Sequence, residues 1–305
     1  MRKKLTAVLL AATMLLTSGV TVFADRVDAV IDKPYLALGA DLSPQEQMTV
    51  LSLLGLSDIN VDDYDIISIT NADEHEYLDK YLDASIIGTR ALSSVLVVGK
   101  EAGNGIHVTT KNISYCTEGM YRNALLTAGI EDADITVAGP FSISGTAALV
   151  GAIKAYETMT GEEIDDENLD AANDELVLTG KLVEDIGDSE KAEDLMALVK
   201  QEVAENKLTS AEDIQNVVDQ ACDQLDIQLS EENQKQIAEL MKKIEGLDLD
   251  VDKLKDQAKD LYQKLEDLDF HVDKESVGNF FTRIIDAIVN FFQRSEERRV
   301  GKECR

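Results

Sequence analysis

The feature that most constrains this chain is a change of hydrophobic period near Thr160-Gly161. Before that point, short apolar runs of period two alternate with segments of helical period. After it, nearly every apolar residue recurs at helical spacing in an acidic background. Period two sends successive side chains to opposite faces of a strand, whereas period 3.6 gathers them on one face of a helix. The reading is an α+β chain: an N-terminal α/β domain, 25–161, of β-α-β units with a hairpin, then an acidic all-helical region, 162–276.

The first part is punctuated by capping residues. Ser43-Pro44-Gln45-Glu46 places Ser at the N-cap, Pro at N1 and Glu at N3, a capping box, and Gly55 stops the helix. Asp65–Thr70 reads as a strand, and Asn71-Ala72-Asp73-Glu74 as a second capping-box start. Ser93–Val98 and Gly105–Thr110 read as strands, and the glycine-rich turn between them predicts a hairpin. Thr117–Ala128 reads as a helix ended by Gly129. Ala133–Ala138 is a strand closed by Gly139-Pro140, and Ser144–Thr160 is a helix ended by Gly161. The stretches Leu36–Ile69 and Ile106–Ala138 share a strand-helix-strand order. Duplication and the common demands of a β-α-β unit both explain that likeness.

In the second part, one helix carries Leu195, Met196, Val199 and Val203. A second starts at Thr209-Ser210-Ala211-Glu212, and Ser230 opens a third. From Ile237 to Leu268, apolar residues recur in steps of three and four, a 3.5-residue seam. Gly246 and the Asp-rich stretch after it interrupt the seam. A helical hairpin is favoured there over one long helix, because Asp250 can cap a new helix.

Both ends carry their own signals. Arg2, Lys3 and Lys4 precede an apolar run, and Val22-Phe23-Ala24 offers residues that signal peptidase accepts, so 1–24 reads as a secretory signal peptide. The expected location is extracellular, with association to the cell envelope open, and no stable membrane span after cleavage. Val277–Gln293 is an amphipathic apolar helix whose broad face, Phe280, Phe281, Ile284, Ile285, Ile288 and Val289, suits the protein's own core or a protein or envelope partner. Residues 294–305, RSEERRVGKECR, resemble a translated sequencing adaptor. Setting aside both ends removes eight Lys/Arg and three Asp/Glu, which moves the net charge from −30 to about −35. Such a surface repels nucleic acid, whose binding requires Lys and Arg against phosphate. Cys116 and Cys222 are far apart in sequence and read as two buried free thiols.

Candidate sites fail on spacing or chemistry. Asp248, Asp250 and Asp252 begin like a calcium loop, but Lys253 stands where Gly is needed and Lys259 where Glu is needed. Asp58, Asn60 and Asp62 fail likewise at Asp63 and Ile69. His75, His107 and His271 lie far apart. His75 reads as a solvated helix residue, and His107 could pair with a carboxylate. Gly139–Thr146 leads into a helix as an anion-binding loop would, without the phosphate-binding lysine, and reads as a strand-to-helix turn. Asn112-Ile113-Ser114 is a glycosylation sequon. No catalytic, cofactor-binding or metal-ligating residue is assigned.

Leu38-Gly39-Ala40-Asp41-Leu42-Ser43, Asn112-Ile113-Ser114-Tyr115, the 124–134 stretch ALLTAGIEDAD and the segment from Ser144 to Glu157 carry a family likeness. On them the chain resembles the YpuA-like exported bacterial proteins, grouped as a domain of unknown function. The resemblance implies export from a Gram-positive-type bacterium and brings no activity. The expected function is non-enzymatic binding outside the cell or at its envelope. An extracellular hydrolase sited in the α/β part, and diffuse divalent-cation binding, are the alternatives.

Overall fold

In the computed structural model, the described residues are 33–257, apart from 58, 59, 162 and 248. The signal peptide, Val277–Gln293, the terminal twelve residues, His271 and the seam beyond 257 lie outside them, as do Asp58 and Asp248.

The chain is α+β, with a mixed sheet region followed by helices. Five strands, β1 (Tyr35–Gly39), β2 (Asp65–Ile69), β3 (Ser94–Gly99), β4 (Ile106–Ile113) and β5 (Ala133–Ile143), form one sheet in the order β2-β1-β3-β5-β4. β1 and β2 are parallel, as are β4 and β5, while β3 runs antiparallel to both its neighbours.

The expected hairpin is therefore corrected. β5 lies between β3 and β4, and the 100–105 connection spans it. The physical reason is burial. Ala133, Ile135, Val137 and Ala138 are all buried and need sheet on both sides, whereas β4 alternates buried or half-buried residues with exposed His107 and Thr109 and suits an edge. Gly139-Pro140 does not close β5 either, because Ile113 pairs with Ile143 beyond a register shift at Asn112.

Both β-α-β units exist, but they are not the same unit twice. α1 (Pro44–Leu53) packs Val50 on the face that carries Leu36 and Ala138. α4 (Glu118–Thr127) packs Met120, Ala124 and Leu125 on the other face, with Val97, Ile106 and Ile135. Each unit steps in the same direction between parallel strands, so the two crossovers are of opposite hand. Only one follows the right-handed rule that about 98% of such connections obey. The likeness of the two stretches thus reflects shared local demands rather than a repeated fold.

α5 (Thr146–Thr160) lies against the same face as α4 and is built from small residues so that it can approach closely. A Cβ on Gly151 would stand 2.8 Å from the Ala37 Cβ. α2 (Asn71–Leu78) and α3 (Ala84–Ile87) flank it. The N-cap of α2 is Thr70, with Asp73 completing the capping box, one residue earlier than Asn71 and Glu74. The reason is tertiary: Glu74 is buried and accepts from Thr146.

Helices α6 (Asp166–Ile186), α7 (Ser189–Asn206), α8 (Ala211–Leu225) and α9 (Glu231–Glu245) follow. The N-cap of α8 is Ser210 rather than Thr209. Leu182, Leu195, Val218 and Ile237 centre a second core, while Ala172, Leu176 and Leu254 join the core of the sheet. The seam does break after α9. Asp250 Oδ1 accepts from the amides of Asp252 and Lys253 and caps the helical residues 251–257. Ile237 and Leu254 consequently serve different cores.

Candidate functional site

An open cleft of about 260 Å³ lies where the 100–105 connection, the start of β4, α4 and residues 251–257 meet. Asn104, Ile106, Arg122, Leu126, Glu131, Lys253, Asp256 and Gln257 line it, with His107 and the glycines at 103 and 105.

One carboxylate assembles its walls. Asp132, at the entry to β5, accepts from the Gly103 amide at 3.0 Å and the Gly105 amide at 2.6 Å. Both glycines have positive φ, 95° and 74°, conformations that a side chain would strain. Asp132 also takes the Lys253 ammonium at 2.6 and 2.7 Å, which fastens the last described helix to the sheet. Gln257 donates to Asn123 Oδ1 on α4 beside Arg122.

Arg122 differs from these neighbours. Its Nε is buried with no hydrogen-bond partner. Its charge acts on Glu193, a half-buried carboxyl that is pushed up by burial and held by the Thr117 hydroxyl. A buried donor without an acceptor costs about 1–3 kcal/mol, so this nitrogen marks a place where an acceptor would be stabilising.

Beneath Arg122 lies a sealed polar network. Lys200 Nζ donates to Asn123 O at 2.9 Å, Thr127 Oγ1 at 3.1 Å and both Glu175 oxygens at 2.9 and 3.1 Å. Burial pushes the Lys200 pKa down, Glu175 opposes that shift, and Arg122 adds to it. This network joins α4, α6 and α7, and both charges are excluded from solvent.

A second buried cluster sits at the head of α5. Gly145 provides the N-cap with φ 100° and no side-chain cap. Tyr121 donates to Gly145 O at 2.5 Å, and Thr146 donates to Glu74 at 2.7 Å. The Gly139–Thr146 turn thus receives an internal carboxylate. Burial raises the Glu74 pKa, against the lowering hydrogen bonds of Thr146 and Asn71. Burial likewise pushes the neighbouring Cys116 thiol up to about 12. Cys116 and Cys222 are both free and buried.

The other sequence candidates are dispersed. His107 Nε2 meets the backbone carbonyl of Asn104 at 3.0 Å rather than a carboxylate. His75 pairs with Asp79 on the exposed side of α2, which raises its pKa. The Asn112 amide donates to Gly139 O at 3.1 Å within the sheet. Asn60 and Asp250 act as turn and helix caps. Among the described residues, no three or more His, Cys, Asp or Glu side chains gather as a metal site, and no helix is long and apolar enough to cross a membrane. Arg122 was missed. The signal for it was the polar pair Arg122-Asn123 interrupting the otherwise apolar run from Met120 to Leu126.

Comparison with known proteins bears on this arrangement. The family described as "Protein of unknown function (DUF1002)" matches residues 38–261. The "Uncharacterized protein YpuA" of Bacillus subtilis (strain 168) is 39% identical over 296 residues, covering 95% of this chain and all of the relative. No solved structure matches significantly. The match of 38–261 takes in the end of β1, the other four strands, α4, the whole cleft and the helices up to 257, so the chain belongs to the DUF1002 family.

Proposed function

We propose that this is an exported bacterial protein that acts by non-covalent binding, with the Arg122 cleft as its ligand seat. The observation that carries the reading is that Arg122 lines an open cleft while its Nε is buried without a hydrogen-bond partner. Elsewhere the buried charges of Lys200 and Glu175 are matched to each other. Export rests on the charged start, apolar run and cleavage residues of 1–24, and the apolar stretch 277–293 adds a face for a protein or envelope partner. The test is recovery of the protein from the culture medium and washed envelope of the bacterium that makes it, followed by native mass spectrometry. The expected result is processed protein carrying a small molecule that Arg122→Gln protein does not carry. Protein that stays in the cytoplasm with its first 24 residues intact would overturn export, and ligand-free protein in every fraction would overturn binding.

A further inference from the structure

We infer that the cleft takes a small zwitterion of the amino-acid or short-peptide class, with its carboxylate on Arg122 and its ammonium group toward Asp256. This rests on the binding reading above and adds the chemistry of the ligand. The volume of about 260 Å³ falls just below the roughly 300–1,000 Å³ of clefts for drug-sized ligands, which selects a small molecule.

Charge selects among small molecules. Lys253 is neutralised by Asp132, bound through both oxygens, whereas Arg122, though its charge also acts on Glu193, keeps a nitrogen with no hydrogen-bond partner. A guanidinium matches a carboxylate with paired, charge-assisted hydrogen bonds. A purely anionic ligand would face Asp256 in the same cleft and a chain of net charge −30. A purely cationic ligand would face Arg122. A molecule carrying both charges complements both walls, and Ile106 and Leu126 offer an apolar strip for a side chain.

The test is calorimetry on the full chain with L-leucine, N-acetyl-L-leucine and L-leucinamide, the last two lacking one charge each. The expected result is saturable heat for leucine and at least tenfold weaker binding for either capped form. Arg122→Gln should abolish leucine binding. Asp256→Asn, at an exposed position that folding tolerates, should weaken leucine and leave N-acetyl-leucine unchanged. Equal binding of leucine and one capped form overturns the zwitterion, as does indifference to Asp256→Asn. Absence of heat from leucine and from leucyl-leucine also overturns it. In that case, a non-zwitterionic molecule found on the secreted protein leaves the binding reading standing, and a bare protein removes both.

Discussion

Lys200 and Glu175 form an ion pair with neither side chain exposed to solvent, Nζ to Oε1 2.9 Å, at the meeting of α4, α6 and α7. The ammonium group has acceptors in Asn123 O and Thr127 Oγ1 as well. Breaking such a pair from one side leaves a buried charge without its counterion. Glu175→Ala should therefore destabilise the chain by about 3–5 kcal/mol. The double replacement Lys200→Met with Glu175→Leu should recover most of that loss, since burying two apolar groups costs no desolvation of charge. Urea unfolding of the three proteins decides it. A Glu175→Ala midpoint equal to wild type would show that the pair carries no such role.

Glu74 predicts a pH dependence of stability. Burial holds its folded-state pKa above the ordinary 4.5, so the folded chain retains that proton more readily than the unfolded chain. The sign follows from linkage: its contribution is fully present below pH 4.5 and is lost as pH rises through the folded-state value. Glu74→Gln keeps an acceptor for the Thr146 hydroxyl and cannot ionise. Relative to wild type, it should become progressively more stable as pH rises from about 4 to about 8. A difference that stays constant over that range in urea titrations would contradict the prediction.

What was legible in the chain was local. The Ser43 capping box and the Asp250 cap each depend on residues within a turn of one another, and each forms as read. Strand pairing was not legible, because the turn at 100–105 has the composition of a hairpin while the partner of β3 is the more distant β5. Burial of Ile135 and Val137 decided the order, and burial is a property of the whole sheet. Cap position shifted for the same reason: Thr70 and Asn71 can both cap a helix, and Thr146 settled the choice from the far side of the fold. The cleft escaped notice because its key cation is a single Arg on a helix, where most such residues are simply solvated.

Gly39 stands in the segment that first suggested a family. A Cβ there would lie 2.4 Å from the Ala91 carbonyl oxygen, a backbone atom that cannot swing aside. The close approach is reinforced from both sides: Asp41 N donates to Ala91 O at 3.1 Å, and Ala91 N donates to Asp41 Oδ2 at 2.9 Å. Gly39→Ala should force this loop off the end of β1 at a cost of about 1–3 kcal/mol. Thermal unfolding would measure it, and an unchanged midpoint would show that the loop can yield without loss.

The two described cysteines give the last prediction. A thiol reacts as its thiolate, so a raised pKa and burial together suppress reaction. Burial pushes Cys116 up to about 12, with the Glu74 charge adding to it. Cys222 is pushed up to about 11 by burial and by Asp219 and Asp223. In a Cys304→Ser background, Ellman's reagent at about pH 8 should therefore label neither thiol of the folded chain and both after unfolding in urea. Fast labelling of Cys222 alone in the folded protein would mean that α8 opens locally, because Cys222 shares the second core with Val218 and Ile237 and cannot meet the reagent otherwise. Fast labelling of Cys116 would contradict the packing at the head of α5, where the thiol lies buried against Tyr121.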